Sequence, residues 1–272
     1  MKFSGEKVVE IYEKIQQKRP IIHCITNAVT VNDCANILLA AGASPTMAHH
    51  PCEEEEITAA LICNFGAISD YEAMKTAGKR AHALGHPIVI DPVGVSGSSY
   101  RREKCLELMK IIHPTCIRGN YSEIQALLHN CGTVTGVDAA EDALAEAEET
   151  DLPELMKQYA KENQMILVAS GETDLIRDGS CVYRCHNGSP MMARITGSGC
   201  MSTVMLGAFL SAENSVESAV ACCAFTGIAG ELAAKEMTAQ KRGTMTFRNW
   251  FIDAVSLMTP EQLEHGTDVD WV

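Results

Sequence analysis

Residues 87–120 read PIVIDPVGVSGSSYRREKCLELMKIIHPTCIRGN. The run PIVIDP (87–92) is apolar and bounded by prolines, which suits a strand buried on both faces. Residues 101–112 mix charged and apolar positions as a helix does, and PTCIRG (114–119) is a second apolar run. A helix between two such runs predicts parallel strands, because a crossover of this length is what a parallel pair requires.

The same rhythm extends in both directions. Upstream, Gly5 to Lys18 has Val8, Val9, Ile11, Tyr12 and Ile15 at helical spacing before Pro20. PIIHCIT (20–26) follows as a strand, Asn32 to Ala41 as a helix stopped by Gly42, and ASPTMA (43–48) as a second strand. A short acidic helix after Pro51, a strand ALICNF (60–65) and a helix from Asp70 to Leu84 complete this half.

Downstream, helices are expected at Tyr121 to Leu128, Gly136 to Thr150 and 153–162, then a strand QMILVAS (164–170). DLIRD and CVYRC, separated by Gly-Ser, read as a hairpin at the sheet edge. The last third is helical, at 198–211, 215–236 and 246–258. This order predicts an α/β fold, one domain over residues 1–272, with a mostly parallel sheet covered by helices on both faces.

Composition narrows the function. The net charge of -13 disfavours an extended nucleic-acid footprint, while leaving room for a small anion held by backbone amides. The 12 cysteines lie scattered through apolar runs without framework spacing, so they are expected to be reduced. With no export signal and no uninterrupted apolar span of membrane length, the expected location is cytoplasmic, with no membrane partner.

Ligands of open parallel sheets sit outside the carboxyl ends of the strands. Those ends carry Asn27, Met47, Asn64 with Gly66, Asp91, Arg118 with Asn120 and Glu123, and Ser170 with Gly171. Asp91 and Glu123 form the best acidic pair for Mg²⁺, which takes one or two carboxylates plus phosphate oxygens. The bland alternative makes Asp91 a turn cap before Pro92 and Glu123 a residue of a solvated helix. Arg118 suits phosphate, or else a surface ion pair.

The loop Thr196-Gly197-Ser198-Gly199-Cys200 opens a long apolar helix after the whole sheet has been made, so its amides are expected to face the strand ends. It is neither a Walker A sequence nor a GxGxxG fingerprint. Cys200 is either packing or a thiol whose ionised form the helix terminus favours. His23, inside a strand, reads as a satisfied core residue, and His49-His50 lacks a third ligand.

HCITNAVTVNDCAN, GASPTMA, NFGAIS, IDPVGVSGSSYR, IRGNYSEI, ASGETD and HNGSPMMARITGSGC, in that order, resemble the hydroxyethylthiazole kinases of thiamin salvage. The resemblance covers nearly the whole chain. It implies a ribokinase-like three-layer α/β/α fold and transfer of the ATP γ-phosphoryl group to 4-methyl-5-(2-hydroxyethyl)thiazole, with Mg²⁺. It places Asn27, Met47, Gly66 and Gly197 at the substrate, and Arg118 and Ser170 at ATP. Asp91 and Glu123 fall near the metal, Gly197, Ser198 and Gly199 in an anion hole, and Cys200 where related kinases carry an aspartate base.

The resemblance also implies a homotrimer with its sites at subunit interfaces. The departures from the family pattern are a shortened segment between Met47 and Asn64, His49-His50 where acidic or small residues are usual, and Ala67 where threonine is common. The alternatives are a kinase of another small alcohol, such as a hydroxymethylpyrimidine, and a non-catalytic thiazole or nucleotide sensor. A nicotinamide oxidoreductase is disfavoured by the missing fingerprint.

Overall fold

A computed structural model describes residues 1–50, 57–130 and 152–271. The expected acidic helix after Pro51 and the expected helix at Gly136 to Thr150 lie outside the described residues. The strands are β1 (Ile21–Ile25), β2 (Ser44–Thr46), β3 (Thr58–Asn64), β4 (Ile88–Asp91), β5 (Cys116–Asn120), β6 (Ile166–Ser170), β7 (Asp174–Arg177), β8 (Val182–Cys185) and β9 (Val269–Trp271). They form one sheet in the order β2-β1-β3-β4-β5-β6-β7-β8-β9. All pairings from β2 through β6 are parallel, and the β7–β8 hairpin and β9 run antiparallel to their neighbours.

The helices are α1 (Gly5–Lys18), α2 (Val31–Ala40), α3 (Tyr71–Leu84), α4 (Ser99–Ile112), α5 (Tyr121–Asn130), α6 (Leu152–Asn163), α7 (Ser198–Ala212), α8 (Val216–Ala239), α9 (Thr244–Ser256) and α10 (Pro260–Gly266). Strand alternation divides their cores. In β3, Ala60 and Ile62 face a core shared with α1, α2, α7, α8 and α9, while Leu61 and Cys63 face one built by α3 to α6. In β4, Val89 takes the first side and Ile88 and Ile90 the second. This is the three-layer arrangement expected.

Helix α8 is apolar and long enough to cross a membrane by length and composition, but 83% of that stretch is buried inside the protein. Its apolar surface is therefore met by α1, α7 and α9 in the core. The expected helix from Asp70 begins earlier as a 3-10 turn over Phe65–Asp70, before α3 proper. Helix α10 and strand β9 were absent from the expectation. TPEQ at 259–262 carries the signal, since Thr259 and Gln262 form a capping box and Pro260 occupies the first turn.

Candidate active site

The sheet order reverses between β1 and β3, because β2 lies on one side of β1 and every later strand on the other. Such a switch point opens a crevice at the carboxyl edge. Asn27 follows β1 and Asn64 ends β3, so the two amides flank it. Asn27 Oδ1 accepts from the backbone N–H groups of Val29 and Thr30 at 3.1 and 3.2 Å, which fixes its amide and leaves Nδ2 pointing inward. That nitrogen donates to Asn64 Oδ1 at 3.2 Å and faces Cys200 Sγ at 3.5 Å.

Asn64 is the hub of the cluster. Its Oδ1 also accepts from the Gly66 backbone N–H at 2.9 Å, and its Nδ2 donates to Asp91 Oδ2 at 2.8 Å and faces Cys200 Sγ at 3.2 Å. The approach requires glycine at 66, where a Cβ would stand 2.7 Å from Asn64 Oδ1 and 2.9 Å from Asn27. Parallel registry brings the amide and the acid together, since Asn64 and Asp91 are directly paired across β3 and β4.

The glycine loop delivers Cys200 to this point. Gly197 is the N-cap of α7 at φ 88, a left-handed conformation that glycine adopts without strain, and a Cβ there would lie 2.7 Å from Thr30 Cγ2. The N–H groups of Ser198, Gly199 and Cys200 begin the helix, where intrahelical partners are absent by construction. Ser198 directs its hydroxyl back to the Met192 carbonyl at 2.7 Å. One turn on, the buried Thr203 hydroxyl lies 3.0 Å from both Asp91 Oδ2 and the Gly199 carbonyl.

Arg118 reaches the same loop from the neighbouring strand, donating from Nη1 to the Gly199 carbonyl at 3.1 Å. Burial alone would loosen its proton, but the charges of Asp174 and Asp91 outweigh that and hold the guanidinium cationic. Burial pushes the Asp91 carboxyl up to about 6; Arg118 opposes this and Glu123 adds to it. The Glu123 carboxylate accepts from the backbone N–H groups of Gly94 and Asn120, both at 3.0 Å, so it organises the loops after β4 and β5.

Burial and the Asp91 charge push the Cys200 thiol above its ordinary value, and hydrogen bonds with Thr30, Asn64 and Asn27 only partly offset them. Desolvation beside an acid thus acts against the thiolate that a helix terminus alone would favour. The protonated thiol is the resting form.

Asn27, Gly66, Asp91, Arg118, Glu123, Gly197, Gly199 and Cys200 thus come together around one cluster. Ser170 stands beyond it on β6, paired with Asn120, and donates its hydroxyl to the Gly119 carbonyl at 3.2 Å. Met47 follows β2 on the same edge and packs against the core. Thr203 and Asp174 were missed. Thr203 could have been found by stepping four residues from Gly199 onto the same helix face, whereas the importance of Asp174 depends on the fold bringing β7 beside β6.

The profile of the hydroxyethylthiazole kinase family matches residues 12–261. The chain belongs to that family. It is 40% identical over 266 residues to "Hydroxyethylthiazole kinase 1" of Methanosphaera stadtmanae, covering 93% of each chain. It is also 40% identical to the hydroxyethylthiazole kinase of Clostridium acetobutylicum, over 94% of this chain and 96% of the other. The solved hydroxyethylthiazole kinase protein of Pyrococcus horikoshii superposes with a TM-score of 0.82 at 30% identity, covering 97% of this chain and 98% of that one. An ADP/ATP-dependent NAD(P)H-hydrate dehydratase of Bacillus subtilis shares the fold, at a TM-score of 0.57 and 13% identity. For this hydroxyethylthiazole kinase family member, then, fold and family agree with the ribokinase-like reading of the sequence.

Proposed function

We propose that this chain, as one catalytic domain over residues 1–272, transfers the γ-phosphoryl group of ATP to the primary alcohol of 4-methyl-5-(2-hydroxyethyl)thiazole. The observation that carries the reading is the meeting of Cys200 at the start of α7 with Asn27, Asn64 and Asp91 at the switch point. The substrate alcohol lies against Asn27, Met47, Gly66 and Gly197, with its oxygen beside Cys200. The loop amides of Gly197, Ser198 and Gly199 receive the transferred phosphoryl group, and Arg118 and Ser170 contact ATP.

Phosphoryl transfer demands positioning and charge neutralisation more than a strong base. The protonated Cys200 thiol suits that division: its sulfur orients the hydroxyl, whose proton leaves late, once the oxygen has become acidic through bonding to phosphorus, and passes to an oxygen of the transferred phosphoryl group. Arg118 lies against the loop carbonyl of Gly199, close to where the phosphate oxygens gather. Asp91 and Glu123 are the residues that would hold Mg²⁺. Two carboxylates, Asp91 ending β4 and Glu123 in the first turn of α5, rather than a cage of ligands, match a cation shared with phosphate. When bound, Mg²⁺ neutralises charge on the transferring group.

We also assign the family trimer, with the site at the subunit boundary. Val29, 74% exposed, lies two residues from Asn27. Met245, 62% exposed, precedes Arg248, which pairs with Asp33 at the start of α2. Exposed apolar side chains on these two segments are what a subunit contact would cover, and sedimentation tests the assembly. We also assign a cytoplasmic location, where ATP is available to the reaction.

The decisive experiment is ADP release by the purified protein with a panel of small alcohols. Turnover with the thiazole alcohol is expected. Turnover with a hydroxymethylpyrimidine and none with the thiazole would replace the substrate, and nucleotide binding without any turnover would favour a sensor.

A further inference from the structure

We propose that His49 and Asp70 form a latch that sets the width of the acceptor end of the crevice and positions Met47 and Gly66 for the alcohol substrate. The inference rests on the site reading given above. His49 Nδ1 lies 3.0 Å from Asp70 Oδ2. Asp70 ends the 3-10 turn that begins at Phe65 and contains Gly66. His49 lies two residues beyond Met47, on the segment leaving β2.

The contact therefore ties together the two segments that flank the switch point from opposite sides. The β2 segment has a second anchor, because His23 of the buried β1 strand faces the Ala48 carbonyl at 2.9 Å from Nε2. Met47 is thus held from behind by β1 and from in front by the turn after β3. Within that turn Gly66 is bonded to Asn64, so a displacement of Asp70 is transmitted to the amide that faces Cys200.

The magnitude separates positioning from stability. The side chains are 41% and 30% exposed, and a pair this wet contributes little to the folding free energy. It still joins two segments that have no strand ladder between them at this level, since β2 pairs with β1 and not with β3. The imidazole offers an N–H at Nδ1 whether it is charged or is the neutral tautomer protonated there, so the latch does not depend on the charge of the ring.

The test is a double-mutant cycle on the full chain, read as steady-state constants for the thiazole alcohol and for ATP separately. His49→Ala and Asp70→Asn are each expected to raise KM for the alcohol about fivefold, with the double variant no worse than either alone, as expected of one shared contact. KM for ATP and the melting temperature are expected to stay at their wild-type values. His49→Gln, which keeps a donor, is expected to recover part of the loss against Asp70. Unchanged KM for the alcohol in both single variants, or additive losses in the double variant, would overturn the latch. Absence of thiazole turnover by the wild-type protein would instead overturn the underlying substrate assignment, so the two failures are distinguishable.

Discussion

Asn64 and Asp91, paired across adjacent parallel strands, share a 2.8 Å hydrogen bond through which the same amide nitrogen also faces Cys200. The nitrogen is the donor that a buried carboxylate and a thiol sulfur both need. Replacing it with oxygen keeps the shape and reverses the chemistry.

Asn64→Asp is accordingly expected to lower kcat/KM by roughly 100-fold at pH 8, where two facing carboxylates repel. Partial recovery is expected toward pH 6, because a proton shared by the two acids restores a donor. A pH series of ADP-release rates checks this; equal deficits at both pH values would contradict it.

Asp91 carries a stability prediction whose sign follows from its raised value. A carboxyl at about 6 in the folded protein and near 4 in the unfolded chain binds its proton more tightly when folded. Its penalty therefore grows as pH rises from about 4 to about 6 and is complete above that, at about 3 kcal/mol. Without nucleotide or metal, Asp91→Asn is expected to melt higher than wild type at pH 7.5, with the gain falling to about a third near pH 4.5. Activity is expected to be lost. Thermal denaturation at the two pH values measures the first effect.

At Gly197, φ 88 and the short approach to Thr30 act together. Gly197→Ala is expected to cost about 1–3 kcal/mol and to displace the loop amides, so kcat falls further than the alcohol KM rises. Gly66→Ala differs, since its φ is ordinary and the obstruction is Asn64 and Asn27. It is expected to disturb the amide hub with less effect on melting. Paired melting curves and kinetics separate the two.

The protonated state of Cys200 predicts slow alkylation by iodoacetamide at pH 7.5, several-fold slower than that of a small free thiol. Cys200→Ala is expected to lower kcat, whereas Cys200→Asp keeps or raises it by supplying a base that is already ionised at neutral pH. If the alanine variant turned over as wild type does, the sulfur would be packing alone.

Much of this was legible in the chain. PIVIDP and PTCIRG became β4 and β5, and strand-end polar residues gather around Asn64 and Cys200; the hairpin at 174–185 forms but does not end the sheet, because β9 pairs with β8 at the edge assigned to it. Periodicity and prolines suffice there because both faces of a parallel strand are buried. The upward push on the Cys200 thiol was not legible, because it turns on burial and on Asp91, more than 100 residues away, entering the same buried volume. Thr203 and Asp174 escaped for the same reason: their partners are defined only by strand order and by the approach of α7. The 3-10 turn before α3 was missed because its residues are held by the Asn64 side chain rather than by helical propensity.

Asp91, Glu123 and Asp174 gather around the buried Arg118 in a protein whose net charge is -13. A nucleotide polyanion therefore diffuses toward a like-charged body and is drawn in only at close range. Added monovalent salt shortens the reach of that repulsion before it weakens the contacts inside the crevice. Association of ATP with this protein should quicken as ionic strength rises from low values, the opposite of the usual behaviour of a phosphate-binding protein with a basic surface.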